Sequence, residues 1–191
     1  MIKLIVGLSN PGIKYLFTRH NIGSWYIYKL INIYSKYLNK KYIFNSFLGK
    51  ISYSNNIIYL FIPNIYMNYN YKYIINIMNI YDIKINDLII LHDDLDLFPG
   101  KIKIQKNGYH GGHNGIKYLI LKFKNNNFNR IRIGIGRPNS KNKILKFVLN
   151  NITKNEKFLI NTSINNLINY TKIFFKKNDI NVLKKINNFK I

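Results

Sequence analysis

Cysteine is absent, proline occurs four times, tryptophan once, and only seven of the 191 residues are acidic. Without cysteine there is neither a disulfide framework nor a thiolate zinc site, a pattern that fits a reducing compartment. Long apolar runs are missing as well. The run from Leu4 to Leu8 stops at Asn-Pro-Gly, too short for a signal-peptide core and far from the ~18 apolar residues of a membrane span. These absences set the expectation of a cytoplasmic protein without a membrane anchor.

The shortage of acid leaves a net charge of +23. Clustered lysine and arginine neutralise phosphates and release counterions, so the charge points toward nucleic acid. Composition offers a second cause. Lys, Asn, Ile and Tyr share A- and T-rich codons, and a gene under strong AT pressure would accumulate lysine whatever the protein bound. Arginine is the sharper marker: Arg19, Arg130, Arg132 and Arg137 are the only four, and each lies in a segment that looks functional for other reasons.

What is present suffices for a fold. A hydrophobic content of 47% over 191 residues can bury one core, so residues 1–191 read as a single domain. Lys3 to Leu8 has the pattern of a buried strand emptying into a turn, and 21–39 repeats Ile27, Leu30, Ile31, Tyr34 and Leu38 at helical spacing. The β-rich runs 47–53 and 57–62 flank Ser-Asn-Asn as in a hairpin. Further strands are expected at 87–92, 101–105 and 130–136, with Asp93, Asp94 and Asp96 just beyond a strand end. Helices are expected at 64–80, 113–124, 143–149, 154–176 and 179–188. This mixture, with a hairpin in it, predicts an α/β fold: a three-layer α/β/α domain around a central mixed sheet. Ligands of such domains collect where strand ends open into loops, here at Asn10, Asp93 and 107–115.

Scarce residues converge on Leu91 to Gly115, which holds three of the seven acids, three of the four histidines and five of the eleven glycines. His20, in Thr-Arg-His-Asn before the first helix, is of the type that serves as a general base near neutrality, since an ordinary imidazole has a pKa of ~6.5. It equally suits a capping role. A carboxylate at a strand end, such as Asp93, can hold one ring nitrogen and leave the other free for a proton. The Asp93-Asp94-Leu95-Asp96 cluster also suits a divalent cation, with His92, His110 and His113 as further ligands, or a solvated turn. Asn107 to Gly115 is a glycine-rich loop opening a helix, suited to an anion or simply to a flexible turn. It lacks the endings of the nucleotide-binding glycine motifs.

Four stretches then fall in a recognisable order: IVGLSNPGIKYLFTRHNIGSW (5–25), PNIYMN (63–68), HDDLDLFPGKIKIQKNGYHGGHNG (92–115) and RIRIGIGRP (130–138). Together they resemble the bacterial-type peptidyl-tRNA hydrolases, and the resemblance spans essentially the whole chain. It implies an enzyme that cleaves the ester between a peptide, or an N-blocked aminoacyl group, and the 3′ end of tRNA, with no metal or organic cofactor. It further implies His20 as the base acting on water and Asp93 as the acid that orients it. Asn10, Asn68 and Asn114 would bind peptide carbonyls and the terminal nucleotide, while Tyr15, Tyr66, Met67 and His113 would line the pocket.

Departures from the family pattern are also visible. Asp94 stands where a glutamate is usual, and Tyr109 where a third glycine is common. Some members grip the tRNA 5′-phosphate with a lysine and an arginine; the arginine falls on Arg132, but the lysine position holds Gln105, with Lys103 and Lys106 as neighbours able to replace it. The expected partner is peptidyl-tRNA, through its acceptor end and peptide, with no membrane. The absence of a long exposed heptad leads us to expect a monomer. The rivals are a non-catalytic RNA-binding module and a metal-dependent phosphoesterase.

Overall fold

The computed structural model describes residues 2–54 and 56–176. Its centre is a seven-stranded sheet with strand order β2-β3-β4-β1-β5-β7-β6. The strands are β1 (Leu4–Gly7), β2 (Leu38–Ile43), β3 (Ser46–Tyr53), β4 (Asn56–Ile62), β5 (Leu88–Asp94), β6 (Ile102–Lys106) and β7 (Asn129–Gly134). β1 pairs in parallel with β4 and β5, and β5 with β7, whereas the outer pairs β2-β3, β3-β4 and β6-β7 are antiparallel. The sheet is therefore mixed, as the sequence predicts.

Two apolar layers sandwich it. On one face, alternate strand residues Ile5, Ile89, Leu91, Ile131 and Ile133 meet α1 (Ile22–Ile33) through Tyr26, Ile27 and Leu30, and α5 (Lys154–Asn169) through Ile160, Ile164 and Leu167. The residues between them, Leu4, Val6, Leu88 and Ile90, face α2 (Asn70–Ile80) and α3 (Asn114–Phe123) through Ile74, Ile77, Ile116 and Leu119. Strands buried on both faces read as unbroken apolar runs, which is why β1 and β5 stand out in the sequence. α4 (Ile144–Leu149) and α6 (Thr171–Lys176) complete the described helices.

Four expectations change. The helix predicted over 64–80 begins only at Asn70, after a single 3-10 turn at Met67–Tyr69. The helix predicted over 21–39 ends at Ile33, and Leu38–Ile43 is instead an edge strand. Asp93 and Asp94 are the last two residues of β5 itself, paired in register with Ile133 and Gly134, so the sheet fixes their backbones. The helix predicted over 154–176 breaks at Tyr170 into α5 and α6. The helix expected over 179–188 lies outside the described residues. Among the described residues no helix is long and apolar enough to cross a membrane.

Two glycines set how closely α1 approaches the sheet. A Cβ on Gly7 would lie 2.5 Å from Gly23 O, and one on Gly23 would lie 2.3 Å from Leu91 O. Backbone thus packs on backbone at the point where α1 begins, two residues after His20. Gly23→Ala forces the helix away from β5. We expect it to cost roughly 3 kcal/mol, as overpacking at a site with no room to relax does, read as a lowered denaturant midpoint.

Candidate active site

The segment leaving β1 is tied down before it reaches the cleft. Asn21 brackets Asn10 with both ends of its amide, accepting from Asn10 N–H at 2.8 Å and donating to Asn10 O at 2.9 Å. Asn10 in turn accepts the Met67 N–H on its Oδ1 at 2.8 Å. Its Nδ2 is left uncommitted among the described residues. Asn70 donates to both Ser9 O and Met67 O, closing the link between the two segments.

Arg19, the neighbour of His20, is an anchor rather than a ligand group. Its guanidinium is buried, forms a two-pronged ion pair with Glu156 and donates to the carbonyls of Phe147, Asn150 and Asn151. Glu156 is itself held by Thr153 in a capping box that starts α5. The backbone carrying His20 is thereby fastened to both α4 and α5.

His20 then meets Asp93. His20 Nδ1 lies 2.9 Å from Asp93 Oδ1, and His113 Nε2 lies 3.0 Å from the same oxygen. The two rings are tilted, with centroids 4.7 Å apart. The tautomers follow from the neighbours. His113 caps α3 by accepting the Ile116 N–H on Nδ1 at 3.3 Å, so its proton sits on Nε2 and is donated to Asp93. An ionised Asp93 can only accept, so His20 donates through Nδ1–H and keeps a lone pair on Nε2. Burial opposes the charge on Asp93, but the attraction and hydrogen bonds of His20 and His113 outweigh it and hold the carboxyl well below the usual carboxylate range.

Behind this cluster lies a residue that the sequence offered only as a metal ligand. His92 donates from Nδ1 to Asp93 O at 2.7 Å and sets its ring edge-on to His113, at 4.8 Å between centroids. Burial and then His113 hold it well below the ordinary histidine range. Burial also keeps His113 low, against the pull of Asp93. On the same face, the buried Arg130 donates to the carbonyls of Asn107 and Tyr109, which fastens the glycine-rich loop to β7. Burial, and after it Arg132, lowers that guanidinium to about 10, still charged at neutral pH.

Two N–H groups of the loop are spent inside it. Gly112 N donates to His110 Nδ1 and His113 N to His110 O, through a turn in which Gly111 and Gly112 have φ of 58° and 81°. These bonds brace the turn from within. Tyr109 is 94% exposed.

His20, Asp93, His113 and Asn114 share one cleft of about 370 Å³, whose far wall is Ile144, Leu145 and Val148 of α4. Met67 is buried beside Gly115, where an added Cβ would meet its sulfur at 2.9 Å. Tyr15 and Asn68 are half-buried and Tyr66 exposed, on the loops flanking Asn10. The basic candidates sit apart on the β6-β7 edge. Lys103 is exposed and in register with Arg132, whose side chain is held by Asp94 at 2.5 Å and Gln105 at 2.7 Å. Lys106 falls on the opposite face of the strand from Arg132. Asp96 pairs with Arg137.

His20, Asp93 and His113 are also close enough to be considered as cation ligands, their donor atoms lying within 4.8 Å of one another. The hydrogen bonding argues against it. His113 Nε2 holds a proton because Nδ1 caps the helix, and Asp93 Oδ1 is already shared by two rings, so no pair of free lone pairs converges on one point.

A mixed α/β sheet with a histidine–aspartate pair at the carboxyl edge of its parallel strands defines an α/β enzyme, with its ligand site at that edge. The particular family follows from comparison. The family model described as Peptidyl-tRNA hydrolase matches residues 4–191. The peptidyl-tRNA hydrolase of Baumannia cicadellinicola is 46% identical over 178 residues, covering 93% of this chain and 92% of that protein. That of Buchnera aphidicola (strain APS) is 45% identical over 162 residues, covering 84% and 92%. The crystal structure of peptidyl-tRNA hydrolase from Acinetobacter baumannii, 34% identical, matches with a TM-score of 0.92 over 99% of this chain and 96% of that one. The chain belongs to the peptidyl-tRNA hydrolase family.

The depressed histidines make stability depend on pH. His92 and His113 stay neutral in the folded protein at a pH where the unfolded chain protonates them, so unfolding takes up protons. Stability therefore falls as pH drops through ~6.5. The Asp93 contribution is lost in the same direction but only below ~4. We expect the denaturant midpoint to fall between pH 7 and 5, and His92→Asn to flatten that fall. A midpoint that is level or rises on acidification contradicts the neutral state of these rings.

Proposed function

We propose that the chain hydrolyses the ester between a peptide, or an N-blocked aminoacyl group, and the 3′ end of tRNA, with His20 as general base and Asp93 as its orienting acid. The carrying observation is the 2.9 Å contact from His20 Nδ1 to Asp93 Oδ1, which leaves His20 Nε2 with a lone pair facing the cleft shared with Asn114. Nε2 takes a proton from water as the oxygen bonds to the ester carbonyl carbon. The resulting oxyanion is steadied by an amide N–H, for which Asn10 Nδ2 and the Asn114 side chain are the candidates. Collapse breaks the bond to the ribose oxygen, which recovers the proton from the imidazolium, and a free peptide acid and tRNA leave. A ribose oxygen leaves more readily than the nitrogen of an amide, so attack by an activated water suffices without a serine or cysteine nucleophile.

His113 has two roles in this scheme. It keeps Asp93 ionised, and with Met67, Tyr15, Tyr66 and Asn68 it borders the site for the last adenosine and first peptide units, by stacking and apolar contact. Lys103 with Arg132 is the pair proposed to meet the tRNA 5′-phosphate, Arg132 through the donors that Asp94 and Gln105 leave free; Lys106, on the other face, is less well placed to join them. The protein acts as a single domain, as a monomer in the cytoplasm and without a metal.

With N-acetyl-phenylalanyl-tRNA as substrate, His20→Ala is expected to lower kcat by ~10² to 10⁴ while leaving the affinity for deacylated tRNA nearly intact. Release of tRNA by the unaltered protein is expected to persist in a chelator. Undiminished turnover in His20→Ala removes the base assignment. Loss of activity in chelator would favour a metal-dependent reaction, and tRNA binding without any hydrolysis would favour an RNA-binding module.

A further inference from the structure

Of the histidines that line the cleft, His110 is the one to which the reaction scheme gives no part. The glycine-rich loop holds it from three directions. Arg130 fastens the carbonyls of Asn107 and Tyr109 just before it, His113 N–H bonds back to its carbonyl, and Gly112 N–H donates to its Nδ1 at 3.0 Å. A ring nitrogen that accepts carries no proton, so the neutral ring of His110 has its proton on Nε2. That ring is half-buried against the cleft, and Nε2–H has no partner among the described residues. The three rings thus present different groups: His113 has given its Nε2–H to Asp93, His20 keeps a lone pair, and His110 offers a donor.

The rest of the cleft selects what that donor meets. Both carboxylates are already paired, Asp93 with two imidazoles and Asp94 with Arg132 and the Asp96 N–H. Lys141, in the 3-10 turn Lys141–Lys143 that leads into α4, also lines the cleft. It is exposed and has no partner among the described residues. A cation and a fixed neutral donor, with the neighbouring carboxylates occupied, suit a phosphate, which accepts at two oxygens and carries the charge that a lysine attracts. The substrate has one close to the bond that breaks. One ribose away from the ester lies the phosphodiester that joins the terminal adenosine to the rest of the tRNA.

We infer that His110, through Nε2–H and together with Lys141, binds this last phosphodiester and so fixes the terminal ribose against His20. The inference rests on the proposed ester hydrolysis. It concerns a different phosphate from the one proposed for Lys103 and Arg132, which stand apart on the β6-β7 edge, whereas His110 and Lys141 line the cleft itself. The bond from Gly112 then has a purpose beyond bracing the turn: it sets the tautomer that leaves His110 with a donor for the substrate.

The test uses N-acetyl-phenylalanyl-tRNA in two forms that differ only at that linkage, one with the phosphodiester and one with an uncharged methylphosphonate. The unaltered protein should lose about tenfold in kcat/KM on the methylphosphonate, the scale of a hydrogen bond to a charged group. In the double variant His110→Phe/Lys141→Met the two forms should be hydrolysed with nearly equal kcat/KM, and in His110→Phe alone the ratio should already shrink. His110→Ala serves in place of the phenylalanine should that variant not fold. All other tRNA contacts are common to the two forms, so a general effect on RNA binding or on the loop cancels in the ratio. A His110 variant that is slower on both forms by the same factor makes this ring a brace for the loop and overturns the inference. So does a ratio that responds to Lys141→Met but not to the change at His110, and so does an unaltered protein that treats the two forms alike. Failure of the unaltered protein to hydrolyse either form would instead sink the ester-hydrolase reading beneath it.

Discussion

A buried carboxylate persists as a charge only when its oxygens are paired, and Asp93 has its pairing from two imidazoles on one oxygen. Most of the local structure serves that arrangement. β5 delivers the carboxylate from within the sheet, the loop before α1 brings His20 to one side, and the first turn of α3 brings His113 to the other. The donor assignment propagates outward. Ile116 N–H fixes the tautomer of His113, Asp93 fixes that of His20, and the free nitrogen of His20 is what remains after every other position has been used.

The three partners come from separate parts of the chain, so their geometry depends on fastenings at a distance from the reaction centre. Gly7 and Gly23 let α1 touch the sheet backbone, which sets the height at which His20 stands. The guanidinium of Arg19 stitches the next backbone step to α4 and α5, and that of Arg130 holds the glycine loop to β7. Two of the four arginines are thus structural, and a third, Arg132, is occupied by Asp94 and Gln105. Scarcity marked them correctly as important, but the importance lies largely in buried hydrogen bonding rather than in contact with a ligand. A guanidinium with five donors is the side chain best able to satisfy several buried carbonyls at once.

Much of this was legible in the sequence. The buried strands β1 and β5 show as unbroken apolar runs, the 47–62 hairpin shows through its turn, and the mixed sheet follows from their combination. Thr153 and Glu156 also spell a capping box directly, although periodicity alone suffices to start that helix. Other features left no local signal. Leu38–Ile43 is an exposed edge strand without alternation, and its Asn, Lys and Tyr residues continue the period of α1 just as well. Its conformation is decided by pairing with β3, a tertiary effect that overrides local preference. Asn21 and Asn70, which lock the Asn10 loop, are hidden by the abundance of asparagine. His92 was visible as a scarce residue, yet only the fold turns its ring behind Asp93 and against His113, away from any ligand role.

The central claim is a division of protons among neighbouring rings, and nitrogen NMR of ring-labelled histidines measures it directly. Where His20 and His113 are neutral, the account predicts opposite tautomers. His20 should carry its proton on Nδ1 with Nε2 unprotonated, and His113 its proton on Nε2 with Nδ1 unprotonated. A His20 signal showing the proton on Nε2 would contradict the account, because the ring would then have no lone pair in the cleft with which to take a proton from water.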